Sequence, residues 1–293
     1  MTLSVRYEAP DSIEQAIHLL RQARQPRLLA GGTDVLVQMR SRRIQPDVMI
    51  DIKKIRELSQ IEVQADGLKI GAAVSCLALL DHPEFKNTYP GVAQAANLIG
   101  SFQVRGRATM TGNLCNASPA ADSVPALIAA GAQAIIAGPN GRRQVPVEAI
   151  PQAPGQTSLA DDELLVALFL PKPAPGNGMA YLRFTPRTEM DIAVVGAGVS
   201  LTLNAQGICT DAKVCLGAVA KTAIVLPEAA EILIGTTVDD AVLEMLALAA
   251  RRAARPITDK RGTAAFRTKL AGVMAQRSAR LALQRAQEKL NNG

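Results

Sequence analysis

Residues 171–176 read Pro171-Lys172-Pro173-Ala174-Pro175-Gly176. Three prolines so close together remove backbone donors and fix φ, so neither a helix nor an interior strand can pass through. The chain is therefore expected to form two units, residues 1–172 and 176–290, with different textures. In the first, short helices and strands intermingle. Asp11 or Ser12 can cap a helix whose apolar stripe is Ile13, Ala16, Ile17 and Leu20. Arg27–Ala30 and Asp47–Asp51 read as strands and Val35–Met39 as a helix. From Ile61 the pattern changes to a hairpin, Ile61–Val63 and Leu68–Ile70 about an Asp66-Gly67 turn, so subdomains of about 1–58 and 59–172 are expected. Ser75–Leu80, Gly91–Ile99 and Ala126–Gly131 read as helices, and Ala134–Ala137 with Gln144–Val147 as a second hairpin about Pro139-Asn140-Gly141. In the second unit, strand patterns at Met179–Thr185, Ile192–Leu203 and Lys213–Ala220 precede helices opened by Pro227 and spanning Asp239–Ala254 and Thr263–Leu290. Strands followed by helices define an α+β class. Val199, Leu201 and Leu203 alternate with Ser200 and Thr202, which predicts a sheet with one wet face.

Composition excludes several functions. Apolar residues are 48% of the 293 and charged residues 20%, which argues for a packed core and against disorder. The longest apolar runs, such as Ile192–Val199, fall far short of the ~20 residues of a membrane span. The beginning, MTLSVRYEAP, lacks the apolar stretch of a secretory signal, so a cytoplasmic location is expected. Cys76, Cys115, Cys209 and Cys215 contain no C-x-x-C pair, and only two histidines are present, so no metal or iron–sulfur site is expected in this chain. The net charge of +6 is scattered, and aromatics are 3% with no Trp, so nucleic-acid binding is not expected.

Three segments can carry chemistry. Leu28-Leu29-Ala30-Gly31-Gly32-Thr33-Asp34-Val35 takes a strand through a double-glycine turn into a helix, a geometry that can aim successive N–H groups at an anion. It is not the G-x-G-x-x-G fingerprint of a Rossmann site. Gly100 to Asp122 is dominated by small and hydrogen-bonding residues, which reads as a long loop on the surface or around a polar ligand. Arg183 to Ile192 joins two strands and carries two arginines and two acids; taken alone it reads as a solvated turn.

In this order and spacing the three segments resemble the FAD-binding medium subunit of the molybdenum hydroxylases, the carbon monoxide dehydrogenase and xanthine dehydrogenase family. Ala30-Gly31-Gly32-Thr33-Asp34 looks like its first FAD-diphosphate loop. Thr109-Met110-Thr111-Gly112-Asn113 looks like its second, T-[IV]-G-G-N, and Ala117–Asp122 like the segment that follows. Arg183–Ile192 matches [KR]-F-x-x-R-x-x-x-D-I. The likeness runs from Tyr7–Pro10 to the last helix. Thr111 stands where glycine is usual, and a positive φ there would strain a β-branched residue. The relatives that reduce hydroxybenzoyl-CoA have extra cysteines for a further cluster; this chain has no such group.

The resemblance implies a two-subdomain FAD-binding domain of the p-cresol methylhydroxylase type, followed by a three-stranded antiparallel sheet with helices. It implies FAD contacts from Leu29 to Val35, from Ile99, Gly100 and Ser101, from Thr109, Thr111, Gly112 and Asn113, and from Leu164 or Leu165. Asp122 would accept a hydrogen bond from the ligand, and Arg183 would set positive charge near the flavin. The loop Thr185–Asp191 would lie near the ring and govern access of an acceptor. The implied role is electron transfer beside a 2Fe–2S small subunit and a molybdopterin-containing large subunit, in a dimer of heterotrimers, with NAD+, a quinone or another acceptor; no catalytic acid or base is required. A self-contained flavin oxidoreductase with its own substrate site and a flavin-free assembly module are the alternatives.

Overall fold

The computed structural model describes residues 5–292. The four residues at the beginning, on which the reading of no secretory signal partly rests, lie outside them. The first part of the chain forms β1 (Arg6–Glu8), α1 (Ile13–Gln22), β2 (Pro26–Leu29), α2 (Val35–Arg40) and β3 (Val48–Asp51). Ser12 caps α1, accepting from Gln15 N–H. The three strands make a parallel sheet in the order β1-β3-β2. Ile13, Ala16 and Leu20 of α1 pack on Val48 and Ile50 of its central strand.

Next come β4 (Ile61–Gln64) and β5 (Gly67–Gly71), then six short helices: α3 (Cys76–Asp81), α4 (Pro83–Thr88), α5 (Pro90–Asn97), α6 (Phe102–Arg105), α7 (Met110–Cys115) and α8 (Ser123–Ala129). They are followed by β6 (Gln133–Gly138), β7 (Gly141–Pro146), a small hairpin of β8 (Pro151–Ala153) and β9 (Gln156–Thr157), and β10 (Leu164–Pro171). The large sheet is antiparallel throughout, ordered β4-β5-β10-β6-β7. Its central strand β10 shows the period-two logic of a sheet buried on both sides. Leu165 and Leu168 join the core beneath α3–α8, whereas Leu164 and Val166 join the α1 core.

The long loop expected between Gly100 and Asp122 is instead broken by α6 and α7. Each is started by a hydroxyl cap: Ser101 Oγ accepts from Val104 N–H and Thr109 Oγ1 from Gly112 N–H at 2.8 Å. Small polar residues signal helix starts as well as loops, and here they do the former.

Beyond the proline-rich segment, β11 (Asn177–Phe184), β12 (Val195–Leu203), β13 (Cys209–Gly217) and β14 (Ile224–Val225) form an antiparallel sheet in sequence order, the two-residue β14 extending the expected three strands. α9 (Pro227–Leu233), α10 (Asp240–Ala253) and α11 (Ala264–Asn292) complete the chain. The expected wet face of this sheet is not found. α11 covers one side and α5 with α8 cover the other, so Ser200 is buried and accepts from Asn177 Nδ2 at 2.9 Å. Alternation misleads here because small polar residues can be buried when they pair with each other.

Candidate cofactor site

The end of β2 delivers the chain to Gly31 and Gly32, and Gly32 turns with φ of +82°, a region open to glycine without Cβ strain. Just before the turn, the Ala30 carbonyl accepts from Lys53 Nζ at 3.0 Å. Lys53 lies 2.6 Å from Asp51 Oδ1, and Tyr7 donates its hydroxyl to Asp51 Oδ2 at 2.7 Å. Burial pushes the Asp51 carboxyl up, but the hydrogen bonds from Lys53 and Tyr7 outweigh it and hold it below the usual carboxylate range. With its carbonyl side tied back in this way, the loop leaves the N–H groups of Gly31, Gly32, Thr33 and Asp34 without a backbone acceptor among the described residues. Asp34 faces the same space, and burial raises its carboxyl.

The second loop comes up against the first. A Cβ on Gly31 would overlap the Arg107 carbonyl oxygen and stand 2.9 Å from Ala108 Cα, so the two backbones touch where only glycine fits. A second tie runs from α2 to the end of α7, where Gln38 Nε2 donates to Asn116 Oδ1 at 2.9 Å. Thr111 lies in the first turn of α7 and is not a positive-φ residue, so its β-branch is not strained. Thr109 Oγ1 is engaged as the helix cap, and Asn113 Oδ1 accepts from Ser123 N–H and Ser123 Oγ.

The two loops line a cleft of about 1260 Å³. Of the sequence-predicted residues, Ala30, Gly31, Gly32, Thr33, Asp34 and Val35 line it from the first loop. Thr109, Thr111, Gly112 and Asn113 line it from the second, with Ile99 and Leu165. Leu29, Gly100 and Ser101 are not on its wall, and neither is Leu164, which faces the α1 core. Asp122 and Arg183 are also off the wall. They pair with each other, and Tyr181 donates to the other oxygen of Asp122 at 2.8 Å. The charge expected of Arg183 is therefore shared with Asp122, because two buried opposite charges are far less costly paired than apart. Burial pushes the Asp122 carboxyl up to about 6, with Arg183 opposing the rise. The Thr185–Asp191 loop is closed on itself by Arg187 Nε and Asp191 Oδ2 at 3.3 Å and adds nothing to the cleft wall.

Sequence reading missed one arm of the cleft. It runs between Arg24 and Arg27, beside β2, and the segment Gln156, Thr157, Asp161 and Asp162 after the β8–β9 turn. The Pro154-Gly155 turn, with φ of +75° at Gly155, was the available signal for that hairpin. Nothing local tied it to the glycine loop.

A cleft of this size with idle main-chain donors on its wall suits an anionic ligand, and a glycine that admits no side chain is what close approach of two backbones around a diphosphate needs. Fold and site together define a unit whose cleft suits an anionic ligand such as a dinucleotide, joined to a sheet-and-helix unit. Two family models match: the FAD binding domain in molybdopterin dehydrogenase over residues 3–173, and the CO dehydrogenase flavoprotein C-terminal domain over residues 180–282. The carbon monoxide dehydrogenase medium chain of Afipia carboxidovorans is 33% identical over 97% of this chain and 98% of its own length. The putative xanthine dehydrogenase FAD-binding subunit of Escherichia coli is 31% identical over 92% of this chain and 93% of its own. The solved structure of reconstituted CO dehydrogenase from Oligotropha carboxidovorans superposes with a TM-score of 0.92 at 32% identity, covering 96% of this chain and 98% of that one. The chain belongs to the FAD-binding medium-subunit family of the molybdenum hydroxylases, and is an oxidoreductase subunit. No helix among the described residues is long and apolar enough to cross a membrane.

Proposed function

We propose that this chain is the electron-transfer subunit of a cytoplasmic molybdenum hydroxylase complex. It takes electrons from the 2Fe–2S clusters of a small partner, beside a molybdopterin-containing large partner in a dimer of heterotrimers, and passes them to NAD+, a quinone or a similar acceptor. Residues 1–172 form the cofactor-holding domain, in subdomains of about 1–58 and 59–172, and residues 176–290 the second. The observation that carries the reading is the backbone contact of Gly31 with Arg107 and Ala108 beneath unpartnered N–H groups.

In this reading Gly31, Gly32, Thr33 and Asp34 hold the diphosphate through main-chain amides, with Thr111 and Asn113 opposite. Leu165 and Ile99 pack on the apolar part of the ligand, and the missed arm near Arg24 and Thr157 takes the other end. Bound FAD supplies a carrier that stores two electrons and exchanges them singly. The chain's own residues position it, exclude water and set the surrounding charge; none acts as an acid or base.

Co-purification with the partners followed by metal and cofactor analysis tests the reading. A complex holding molybdenum, iron and FAD, whose flavin is bleached when the complex oxidises its reduced substrate and recolours as NAD+ or a quinone takes the electrons, is the expected result. Substrate oxidation by this chain alone would overturn it in favour of a self-contained oxidoreductase.

A further inference from the structure

Asn113 lines the cleft on α7, and Ser123, the first residue of α8, stands behind it. Ser123 is completely buried. Its N–H lies 3.3 Å, and its hydroxyl 2.7 Å, from Asn113 Oδ1. A backbone N–H can only donate, so the amide atom that faces it must be the oxygen. Turning the amide over would let Nδ2 donate to the Ser123 hydroxyl but would set it against the Ser123 N–H, donor against donor, and lose that hydrogen bond. The nitrogen is therefore held on the other branch. There it donates to nothing among the described residues, yet it is not among the buried side-chain atoms left without a partner. It is an accessible donor on the wall of the cleft, with an orientation set from behind.

We propose that Ser123 is a positioning residue that presents Asn113 Nδ2 to a diphosphate oxygen of the bound dinucleotide. This rests on the placement of FAD in the cleft given above, and it assigns Asn113 the part of a donor and Ser123 a part it plays without touching the ligand. The polarity matters because the cleft also holds the Asp34 carboxylate, so an acceptor at position 113 would add to the negative charge that the diphosphate meets.

The test uses the full chain stripped of flavin and titrated with FAD by quenching of flavin fluorescence. Asn113→Asp keeps an oxygen for Ser123 and replaces the donor by a second oxygen of the same shape. Affinity should fall at least roughly tenfold at pH 8, where that carboxylate is ionised and repels the diphosphate. Toward pH 5 its protonated form can donate, and part of the affinity should return. Burial raises the carboxyls of both Asp34 and Asp122, so the wild-type profile is subtracted. Ser123→Ala should weaken binding roughly fivefold without that added pH step, and should do nothing further in an Asn113→Ala background. If Ser123→Ala fails to fold by circular dichroism, Ser123→Cys, which keeps the size and has only a weak S–H donor, takes its place in the same comparison. Wild-type affinity in Asn113→Asp at every pH overturns the proposal, as does an additive Ser123→Ala effect. A shift in the absorption bands of the bound flavin in Asn113→Asp would place the donor on the ring and overturn the diphosphate assignment. A wild-type chain that takes up no FAD would fail the placement itself, which separates the two ideas.

Discussion

Gly31 shows how one hydrogen atom can decide the shape of a site. Replacing it with alanine sets a methyl on top of the Arg107 carbonyl, and backbone atoms cannot swing aside as a flexible side chain can. The loops must part, and the amides no longer converge. Flavin content of purified Gly31→Ala, read from visible absorbance, should fall below roughly a tenth of wild type with far-ultraviolet circular dichroism unchanged; full flavin occupancy would refute the shared cradle. Asp122 carries a prediction of different sign. Its carboxyl rises from the ordinary 3.8 to about 6 on folding, so the folded state binds the proton more tightly than the unfolded one. The stabilisation is full below about pH 4 and is lost as pH rises through about 6. Asp122→Asn removes that dependence, so the difference in unfolding free energy between wild type and variant should move against wild type between pH 4 and 6 and then level. A difference that moves the other way would mean that Arg183 dominates the carboxylate. At this scale the glycine turn was legible in sequence, because a turn's demand for glycine is local. Lys53 holding Ala30 and Ser123 holding Asn113 were not, since neither spacing is periodic in any element. The Asp122–Arg183 pair was read as two separate ligand contacts, because no sequence pattern shows that a strand 61 residues later will bring the opposite charge alongside.

At the scale of elements, small residues set the distances. Ala271, Ala275, Ala279, Ala282 and Ala286 form a fully buried stripe on α11, and a Cβ on Gly178 of β11 would overlap the Ala282 carbonyl and meet Ala286 Cβ at 3.0 Å. The helix can therefore lie nearly backbone to backbone on the sheet. On the opposite side of the sheet Gly198 of β12 does the same for α8, where a Cβ would overlap the Pro125 carbonyl and stand 2.7 Å from its carbon. Gly198→Ala should cost about 1–3 kcal/mol of unfolding free energy by denaturant titration, the range of overpacking in a rigid core. A change within ~0.5 kcal/mol would show that the contact yields. The elements themselves were legible. Pro227 and Gly235 bracket α9 as capping chemistry predicts, and the long helices follow their apolar period. What periodicity could not show was the second partner of the sheet. A strand with one face on α11 and the other on α8 has the same alternation as a strand facing water, provided the second face is built from glycine, serine and threonine.

The whole molecule follows from that doubly covered sheet. Met179 and Cys215, from the later unit, belong to the same apolar cluster as Leu127 and Leu168 of the earlier one, and Tyr181 packs with Ala95 and Ala126. Polar links cross the same seam: Gln94 Oε1 accepts from Tyr181 N–H at 3.1 Å and from Arg285 at 2.8 Å, and Asp122 pairs with Arg183. Two domains joined only by a proline-rich segment ordinarily unfold as separate units, because few contacts cross between them. Here, withdrawing the second unit would bare the inner face of its sheet and strand the Asp122 charge without its partner, a penalty typical of breaking a buried pair. Neither half can melt without exposing the core of the other. Calorimetry of the flavin-free chain should therefore show one transition, with the calorimetric and van't Hoff enthalpies agreeing. The cleft is lined only by residues of the first unit, yet added FAD should move that single transition upward as a whole. Two resolved transitions, with only the earlier one displaced by FAD, would show that the seam is a contact between independent domains. The second unit would then not sense the state of the cofactor site through packing.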